Sequence, residues 1–380
     1  MEVNTIEKTP HDLCTGCFAC MNTCPIDAVK AESDSQGFLC PVIDKSKCVS
    51  CGKCAKVCPI LREKKETDFY EPKCYAAWSK DENVRFQSTS GGVFTHLAEA
   101  VIEDGGTVVG ARYKSNRLVE HALIRKKEEI EQLRQSKYVQ SEIGLVFREI
   151  AKELKNGKPL LFAGTPCQCA GLKAFLEKDY ENLFLCDFIC RGVNSPLAYS
   201  KYLEELEDRY GSKVKQVWFK NKTFGWSNFA TKIVFEDGRE YIANRETDPF
   251  MLGYIKTRTT LYMRESCYQC RFKGTSRPVD ITLSDFWGAE KAMPNINIFN
   301  GVSAVMTHSK KGESLVECVD SVLYLNSCSL SDIIQGNPCI NQSAALSSAE
   351  DRNCFFNKLA KGEYFSQVLK NYNFGGSHEK

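Results

Sequence analysis

The sequence predicts an α/β (α+β) protein in two parts, a small cysteine-rich module followed by a larger α/β domain with a mixed sheet. Three observations support this prediction. The chain has 380 residues, which is longer than most single domains. Nine of its twenty cysteines precede residue 60. Beyond residue 90, helical and strand periodicities alternate, as they do when helices cover a sheet.

The charge balance argues against two broad classes of partner. The chain carries 50 Lys and Arg against 48 Asp and Glu, a net charge of +2, so no extended basic surface for nucleic acid is expected. No apolar run approaches the ~20 residues that a membrane span needs. Residues 1–10 also lack the basic and apolar segments of a secretory signal. We therefore expect a cytoplasmic protein with no membrane span and no nucleic-acid partner.

Two copies of one cysteine motif define the N-terminal module. Each copy has the spacing C-x2-C-x2-C-x3-C followed by proline, first at residues 14–25 and again at residues 48–59. Three thiolates on such a loop reach three corners of a 4Fe-4S cube, whereas the fourth cysteine ligates the other cube. The spacing predicts a two-cluster ferredoxin module of bacterial type. Its crossed ligand sets are Cys14, Cys17, Cys20 and Cys58, and Cys24, Cys48, Cys51 and Cys54.

Zinc is the alternative occupant of closely spaced cysteines. C-x2-C pairs also ligate zinc, but zinc sites use two well-separated pairs rather than runs of four. The doubled run with its prolines therefore favours iron-sulfur clusters.

The domain boundary is predicted from a charged stretch over residues 61–72, which is typical of an exposed linker. The polar C-terminal end is typical of a disordered tail. These patterns give four segments: the module over residues 1–61, a linker over 62–74, the α/β domain over 75–375 and a tail over 376–380.

The elements of the larger domain follow from their periodicity. Helical spacing covers residues 92–104, 142–156 and 311–324, and a further helix ends near residue 177. Strand patterns cover residues 107–113, 120–125, 160–164, 183–189 and 301–306. This alternation predicts helices packed on a mixed sheet.

Two turns of small residues precede predicted helices, at Ser90-Gly91-Gly92 and at Gly164-Thr165-Pro166. Free amide groups at helix N-termini bind phosphate or flavin oxygens. Ser, Thr and Gly are also ordinary helix caps, and a plain cap is the more common role of such residues. The turns alone therefore do not establish a binding site.

A second, dispersed cysteine set lies in the larger domain, and four thiols suffice for a third 4Fe-4S cluster. The alternative is a redox or zinc pair at the C-x2-C spacing, with the other two cysteines as buried thiols. Spacing alone leaves these alternatives open. The set is Cys167, Cys190, Cys267 and Cys270.

The chain resembles the family of coenzyme F-420 hydrogenase/dehydrogenase beta subunits over most of its length. Beside the doubled cysteine run, the resemblance is carried by Ser90-Gly91-Gly92 and by residues 164–168, 190–196, 267–270 and 280–288. Members of this family bind FAD beside a 4Fe-4S cluster and pass electrons between that flavin and a partner, often a deazaflavin. The resemblance therefore implies a larger domain that binds FAD and a third cluster.

Specific roles follow from the resemblance, position by position. It implies that the dispersed set of four cysteines ligates the cluster next to the flavin. It also implies that Ser90, Gly91 and Gly92 face the flavin phosphates or ring, that Thr165 and Gln168 lie near it, and that Lys273 supplies positive charge to a flavin anion.

The expected function is an oxidoreductase that relays electrons between a ferredoxin-like donor, the clusters, FAD and an organic acceptor, deazaflavin-like or other. The acceptor stays open, because the chain carries its own two-cluster module and has Arg191 where several relatives have histidine. The alternatives are an electron-transfer subunit without its own substrate site and a redox sensor without flavin.

Partners and proton donors are predicted less specifically. We expect a redox partner protein, either a ferredoxin or a catalytic subunit, and a small-molecule acceptor; a homo-oligomer is compatible with the sequence. No catalytic residue is assigned. Asp187, His121 and Asp285 are candidate proton donors, although strand-end and half-buried side chains of these types are more often structural.

Overall fold

The computed structural model describes residues 4–63, 70–256 and 260–372. It confirms a mixed α/β fold with a small N-terminal ferredoxin-like part. The predicted tail over 376–380 and residues 64–69 of the predicted linker lie outside the described residues.

The N-terminal module consists of two short helices and one hairpin. The hairpin pairs its strands antiparallel, with Val29 opposite Ile43 and Ser33 opposite Leu39. Both helices begin after a residue in the left-handed region, Phe18 at φ 56° and Gly52 at φ 75°, so each cysteine loop turns sharply into its helix. The elements are α1 (Ala19–Thr23), β1 (Val29–Ser33), β2 (Leu39–Ile43) and α2 (Lys53–Lys56), with 3-10 turns at Ile6–Lys8 and His11–Leu13.

One large mixed sheet organises the rest of the described chain, in the order β14-β3-β13-β12-β8-β7-β4-β5-β6. Its central strands β12, β8, β7 and β4 are parallel, and antiparallel pairs flank them on both sides. The strands are β3 (Lys73–Ser79), β4 (Thr107–Tyr113), β5 (Val119–Ile124), β6 (Ser141–Glu142), β7 (Leu160–Ala163), β8 (Leu183–Phe188), β12 (Ile281–Asp285), β13 (Ser303–Thr307) and β14 (Leu323–Ser327).

Helices cover both faces of this sheet, because its central strands are apolar on both sides. The helices are α3 (Glu82–Gln87), α4 (Val93–Glu103), α5 (Ile130–Leu133), α6 (Val146–Lys155), α7 (Pro166–Leu176), α8 (Pro196–Tyr210), α9 (Pro249–Met251), α10 (Ala289–Ala292), α11 (Lys310–Glu317), α12 (Leu330–Gly336), α13 (Ala349–Ala360) and α14 (Phe365–Lys370). A π-helical turn, Leu252–Lys256, follows α9. Further 3-10 turns are Lys127–Glu129, Glu265–Cys267, Asp320–Val322 and Pro338–Ile340.

A smaller antiparallel sheet packs beside the large one. Its order is β11-β10-β9, formed by β9 (Val214–Asn221), β10 (Ala230–Phe235) and β11 (Glu240–Asn244). With α8, α13 and α14 it encloses an aromatic core that includes Tyr199, Tyr202, Phe219, Phe250 and Phe365. Local sequence pattern predicted none of these three strands.

The module is packed onto the large sheet domain through a shared apolar core. Phe18, Ala19 and Val57 of the module lie in one buried cluster with Phe147 of α6 and Leu172 of α7. The Gln140 side-chain amide also binds the edge of the hairpin. Its Nε2 donates to Leu39 O at 3.1 Å, and its Oε1 accepts from Leu39 N at 2.8 Å.

Two predicted helix boundaries were wrong. The helix over 311–324 ends at Glu317, and Leu323 begins β14, which pairs with β3. The helix over 142–156 begins only at Val146, since Ser141 and Glu142 pair with β5. β3 begins at Lys73, inside the predicted linker.

Candidate iron-sulfur centres

The first thiol set of the module surrounds a cavity of about 20 Å³. Cys14, Cys17, Cys20 and Cys58 line it, together with apolar residues such as Ile6 and Ile60. Burial, together with smaller contributions from the neighbouring Cys58 and Cys14 sulfurs, raises the pKa of the Cys17 thiol to about 12. The fourth cysteine of the second run therefore lies with the first three of the first run, which is the crossed arrangement that the spacing predicts.

The second thiol set lies closer to the surface. Burial raises the pKa of Cys54, backbone N–H groups of Ile6 and Ala55 lower it, and the Cys48 sulfur raises it. The Cys24 sulfur accepts a hydrogen bond from Ala28 N at 3.2 Å. Cys51 is exposed. Backbone N–H donors to sulfur stabilise cluster thiolates, so the donor chemistry of this set fits a 4Fe-4S cluster.

The dispersed set comes together at the carboxyl ends of β7 and β8. Cys167 is the second residue of α7, Cys190 follows β8, and Cys267 closes a 3-10 turn three residues before Cys270. Burial raises the pKa of Cys167 well above its usual value, and the Cys270, Cys190 and Cys267 sulfurs raise it further. Four thiols from three chain segments thus share one partly buried location, and this donor set fits a third cluster.

Helix α7 brings the dispersed set close to the first set. Cys167 and Gly171 are four residues apart and lie on the same face of α7. A Cβ at Gly171 would lie 2.9 Å from both the Cβ and the Sγ of Cys17. One helical turn, ~6 Å at 1.5 Å per residue, therefore separates the position of Cys167 from the helix surface that contacts Cys17.

Thr165 and Gln168 form a capping box at the start of α7. Thr165 N donates to Gln168 Oε1 at 2.9 Å, and Gln168 N donates to Thr165 Oγ1 at 3.4 Å. Thr165 Oγ1 also lies 3.1 Å from Cys167 Sγ. In this structure the two side chains cap the helix and hold Cys167 in place, which is the plain-cap alternative that the sequence left open.

The Ser90-Gly91-Gly92 turn is held by the neighbouring strands. Ser90 Oγ donates to Val302 O at 2.6 Å, and Gly91 N donates to Ser303 Oγ at 2.9 Å. A Cβ at Gly91 would lie 2.2 Å from Ala77 O, so only glycine fits there. Gly92, at φ 90°, starts α4 without a side-chain cap. The polar atoms of Ser90 and Gly91 are thus engaged in the fold, whereas the N-terminus of α4 is not capped.

Two buried lysines near this turn were not found from the sequence. Lys222 Nζ donates to the carbonyl oxygens of Arg85, Ser90 and Asn300 at 2.6 Å each. Burial lowers the pKa of Lys222 to about 7, although three carbonyl acceptors favour the ammonium form. Lys220 pairs with Asp285 and lies 4.8 Å from the ring centre of Trp287. A lysine in or just after a strand is usually solvated, so the sequence does not indicate that Lys220 and Lys222 are buried.

Lys273 lies at the dispersed set rather than at the Ser90 turn. Its ammonium donates to Cys190 O and to Cys339 O, the latter at 2.8 Å. Lys273 therefore ties the loop that carries Cys190 to the Pro338–Ile340 turn and adds positive charge beside the four thiols.

The three candidate proton donors all belong to internal networks. Asp187 is 1% exposed and accepts from Arg277 at 2.8 Å and from Thr282 Oγ1 at 2.5 Å. Asp285 accepts from Trp226 Nε1 at 2.9 Å. His121 has both ring nitrogens within hydrogen-bond distance of neighbours. These contacts account for all three as structural residues.

None of the helices in the described residues is both long and apolar enough to cross a membrane. A comparison with curated proteins finds no match. Among solved structures, one that matches is a chain of the F420-reducing [NiFe] hydrogenase complex from Methanosarcina barkeri. It is 16% identical, with a TM-score of 0.49, and the match covers 81% of this chain and 94% of that chain.

Three family models match consecutive parts of the sequence. The 4Fe-4S dicluster domain matches residues 13–60, which supports 4Fe-4S clusters in the module. The N-terminal and C-terminal models of the coenzyme F420 hydrogenase/dehydrogenase beta subunit match residues 74–147 and 157–332. The chain therefore belongs to the coenzyme F420 hydrogenase/dehydrogenase beta-subunit family, an oxidoreductase family, and carries an N-terminal 4Fe-4S dicluster domain.

Proposed function

We propose that this chain is an iron-sulfur flavoprotein oxidoreductase with three 4Fe-4S clusters and FAD. The convergence of Cys167, Cys190, Cys267 and Cys270 is the observation that carries the proposal. Scattered buried thiols have no reason to gather at one point, whereas a cluster requires four of them within reach of one cube.

The ligand sets are proposed as the sequence predicts them. Cys14, Cys17, Cys20 and Cys58 hold the first cluster. Cys24, Cys48, Cys51 and Cys54 hold the second, and the dispersed set holds the third. Bound there, the clusters would exchange single electrons, and a flavin would exchange one or two. The protein would therefore convert between one-electron and two-electron transfer.

The flavin is proposed to lie with its phosphates at the start of α4. Gly92 leaves the first N–H groups of this eleven-residue helix without a side-chain cap, and such groups bind phosphate. The capping box of α7 makes that helix the poorer candidate. Thr165, Gln168 and Lys273 are then proposed to position the third cluster, with Ser90 and Gly91 shaping the turn before α4.

The order of the sites suggests a route for electrons. The second set is nearest the surface, since Cys51 is exposed. Two short chain segments connect the second set to the first, Cys20–Cys24 and Cys54–Cys58, because each segment has one end in each set. The first set contacts α7 at Gly171, one turn from Cys167. Residues of the module thus lead from the surface to the interior of the larger domain.

A redox partner protein is proposed to dock over the second set. Val49 is 69% exposed beside the exposed Cys51, and Lys47 and Lys53 are exposed next to them. Exposed apolar and basic groups around a redox site fit an acidic electron carrier, because complementary charge steers association.

The direct test is a measurement of iron, acid-labile sulfide and flavin on anaerobically purified protein. We expect about twelve iron and one FAD per chain in the wild type, since each cube holds four irons. Replacement of Cys267 and Cys270 by serine should lower iron to about eight. Cys169→Ser is the matched control, because Cys169 lies on α7 but outside the proposed sets, and it should leave iron unchanged.

The outcomes separate the possible functions. About eight iron and no flavin in well-loaded wild-type protein would leave only a ferredoxin module attached to a domain of another kind. One FAD with reduction of a small acceptor by the isolated chain supports an enzyme with its own substrate site. One FAD with turnover only in a stable complex supports an electron-transfer subunit.

A further inference from the structure

Arg264 is a buried cation that joins the first and third thiol sets. Its side chain is 3% exposed. Nε donates to Cys14 O at 2.7 Å, and one terminal nitrogen donates to Leu39 O at 3.1 Å. The other terminal nitrogen lies 3.3 Å from Cys40 Sγ. All three acceptors belong to the module, about 225 or more residues before Arg264 in the chain.

The backbone of Arg264 belongs to the third set instead. Arg264 N donates to Val193 O at 2.9 Å, and Arg264 O accepts from Cys267 N at 3.0 Å. The residue therefore fixes the turn that presents Cys267 and, through its side chain, the loop that presents Cys14. A Cβ at Gly16 would lie 3.1 Å from the guanidinium, so the cysteine loop closes directly over it.

The guanidinium has no ion-pair partner among the described carboxylates. The Asp34 carboxylate contacts the Cys40 thiol and His11 rather than the arginine. Arg148 provides the contrast, since it also crosses from the larger domain to module carbonyls but pairs with Asp27 at 2.7 Å. A charge buried without a carboxylate partner is costly, and an anionic cluster held by the first set would compensate it.

We propose that Arg264 is the positioning residue and counter-charge of the first cluster, held against Cys14 while its backbone orients Cys267 of the third set. This inference rests on the cluster assignment of the proposed function. A 4Fe-4S cube with four thiolates is an anion, and it gains negative charge on reduction. A fixed cation beside it stabilises the reduced form more than the oxidised form and raises the reduction potential of that cluster.

The test is an anaerobic potentiometric titration followed by EPR spectroscopy. Arg264→Gln removes the charge but keeps an amide donor, and Arg264→Lys keeps the charge. Arg148→Gln is the comparison, because the Arg148 side chain is 29% exposed and water screens its charge, so the potential of the first cluster should change little. The signal of the second cluster is identified with Cys51→Ser and serves as an internal reference, since no atom of that set contacts Arg264 in the described contacts.

In Arg264→Gln the ratio of reduced to oxidised first cluster at a fixed potential should fall about tenfold, a shift of ~59 mV for one electron. In Arg264→Gln the potential of the second cluster should stay near its wild-type value. In Arg148→Gln and in Arg264→Lys the potential of the first cluster should stay near its wild-type value. An unchanged first-cluster potential in Arg264→Gln overturns the inference, as does an equal shift in Arg148→Gln.

Two further outcomes are also decisive. If Arg264→Gln does not assemble its clusters, the test rests on Arg264→Lys. A tenfold fall in the ratio of reduced to oxidised first cluster in Arg264→Lys, in spite of the retained charge, overturns the inference. If wild-type protein holds no cluster at the first set, as shown by its iron content before any titration, the proposed function fails and the inference fails with it.

Discussion

At the scale of single residues, His121 shows how a candidate proton donor becomes a structural group. Its Nε2 lies 3.2 Å from Ala163 O, which can only accept, so this nitrogen carries the proton. Its Nδ1 then accepts from Ser141 Oγ at 2.7 Å. The ring also stacks on Phe162 at 5.4 Å. The neutral imidazole is therefore fully satisfied, and a second proton would place a charge in a buried site and reverse the hydrogen bond with Ser141.

This arrangement predicts a stability that depends on pH. Burial lowers the pKa of His121 from 6.5 to about 4, so between these values the unfolded chain binds a proton that the folded chain does not. The stability is complete above pH 6.5 and is lost as the pH falls toward 4. From pH 7 to pH 5 the loss from this one residue is about 2 kcal/mol. The thermal midpoint of wild-type protein, followed by circular dichroism, should fall more over this range than that of His121→Gln.

Ser141→Ala is the matched control for this prediction. It removes the partner of Nδ1 but keeps the titrating ring, so it should lower the midpoint at both pH values and retain the pH dependence. Equal pH dependence in wild-type protein and His121→Gln would contradict the assignment.

At the scale of elements, α7 is the part of the fold that holds the proposed centres in register. The capping box fixes its first turn at Cys167, and Gly171 lets its middle approach Cys17. Glycine in a helix interior costs about 1 kcal/mol relative to alanine. The close approach of the module accounts for glycine at this position.

Gly171→Ala therefore has two opposing effects. Alanine favours the helix by about 1 kcal/mol, but its Cβ would lie 2.9 Å from Cys17 Sγ, closer than side chains pack. As a ligand of the proposed first cluster Cys17 could not retreat, so we expect a folded protein with reduced occupancy of that cluster. Iron analysis should fall from about twelve toward about eight.

The same helix offers a control in Cys169→Ala. Among the described residues this buried thiol donates hydrogen bonds only to the Gly164 and Cys186 carbonyl oxygens, at 3.9 and 3.8 Å, and otherwise packs in an apolar cluster. Its removal should leave the iron content unchanged. Full iron loading in Gly171→Ala would contradict the prediction, because it would show that α7 can move away from Cys17 while the first cluster stays bound.

The elements also show what sequence could and could not predict. Strand β4 and helix α4 followed from local sequence pattern, because a short buried run in β4 and the helical spacing of buried residues in α4 both lie within a few residues of the chain. The boundary after Glu317 was missed because apolar residues at 315, 316, 319 and 323 continue a helical spacing, while Leu323 belongs to a strand that pairs with distant β3. Long-range pairing overrides local pattern there.

The candidate sites also differ in how far the sequence could predict them. The module cysteines could be assigned from spacing, since each loop supplies its own three thiols. The third set required the resemblance, because Cys167 and Cys270 are brought together only by the sheet. Arg264 gave no sequence signal, because every acceptor of its side chain lies in the module.

At the scale of the whole molecule, the module and the larger domain share one core. Phe18 is 1% and Val57 2% exposed, and both pack with residues of α6 and α7. Arg148 and Arg264 add hydrogen bonds to four module carbonyls besides that of Leu39. Residues that pack in a common core do not move independently, so the chain segment between the two parts is not needed to hold them together.

This predicts that the two parts stay associated after the chain is cut between them. A protease site placed between residues 63 and 70 would be cleaved in the anaerobic holoprotein, and the fragments would be analysed by gel filtration. We expect one peak with both fragments and with the iron content of the uncut protein, because the buried core and the arginine contacts survive cleavage.

Arg148→Glu is the comparison that gives the result its meaning. The carboxylate would face the carbonyl oxygens of Met21, Asn22 and Cys24 and the nearby Asp27 in place of a donor, so repulsion should weaken the association of the cut protein. The variant should release the module at lower denaturant concentration than the cut wild type does. Separation of the wild-type fragments in buffer alone would instead mean that the module is a tethered carrier, and the fixed geometry between Cys17 and α7 would then exist only part of the time.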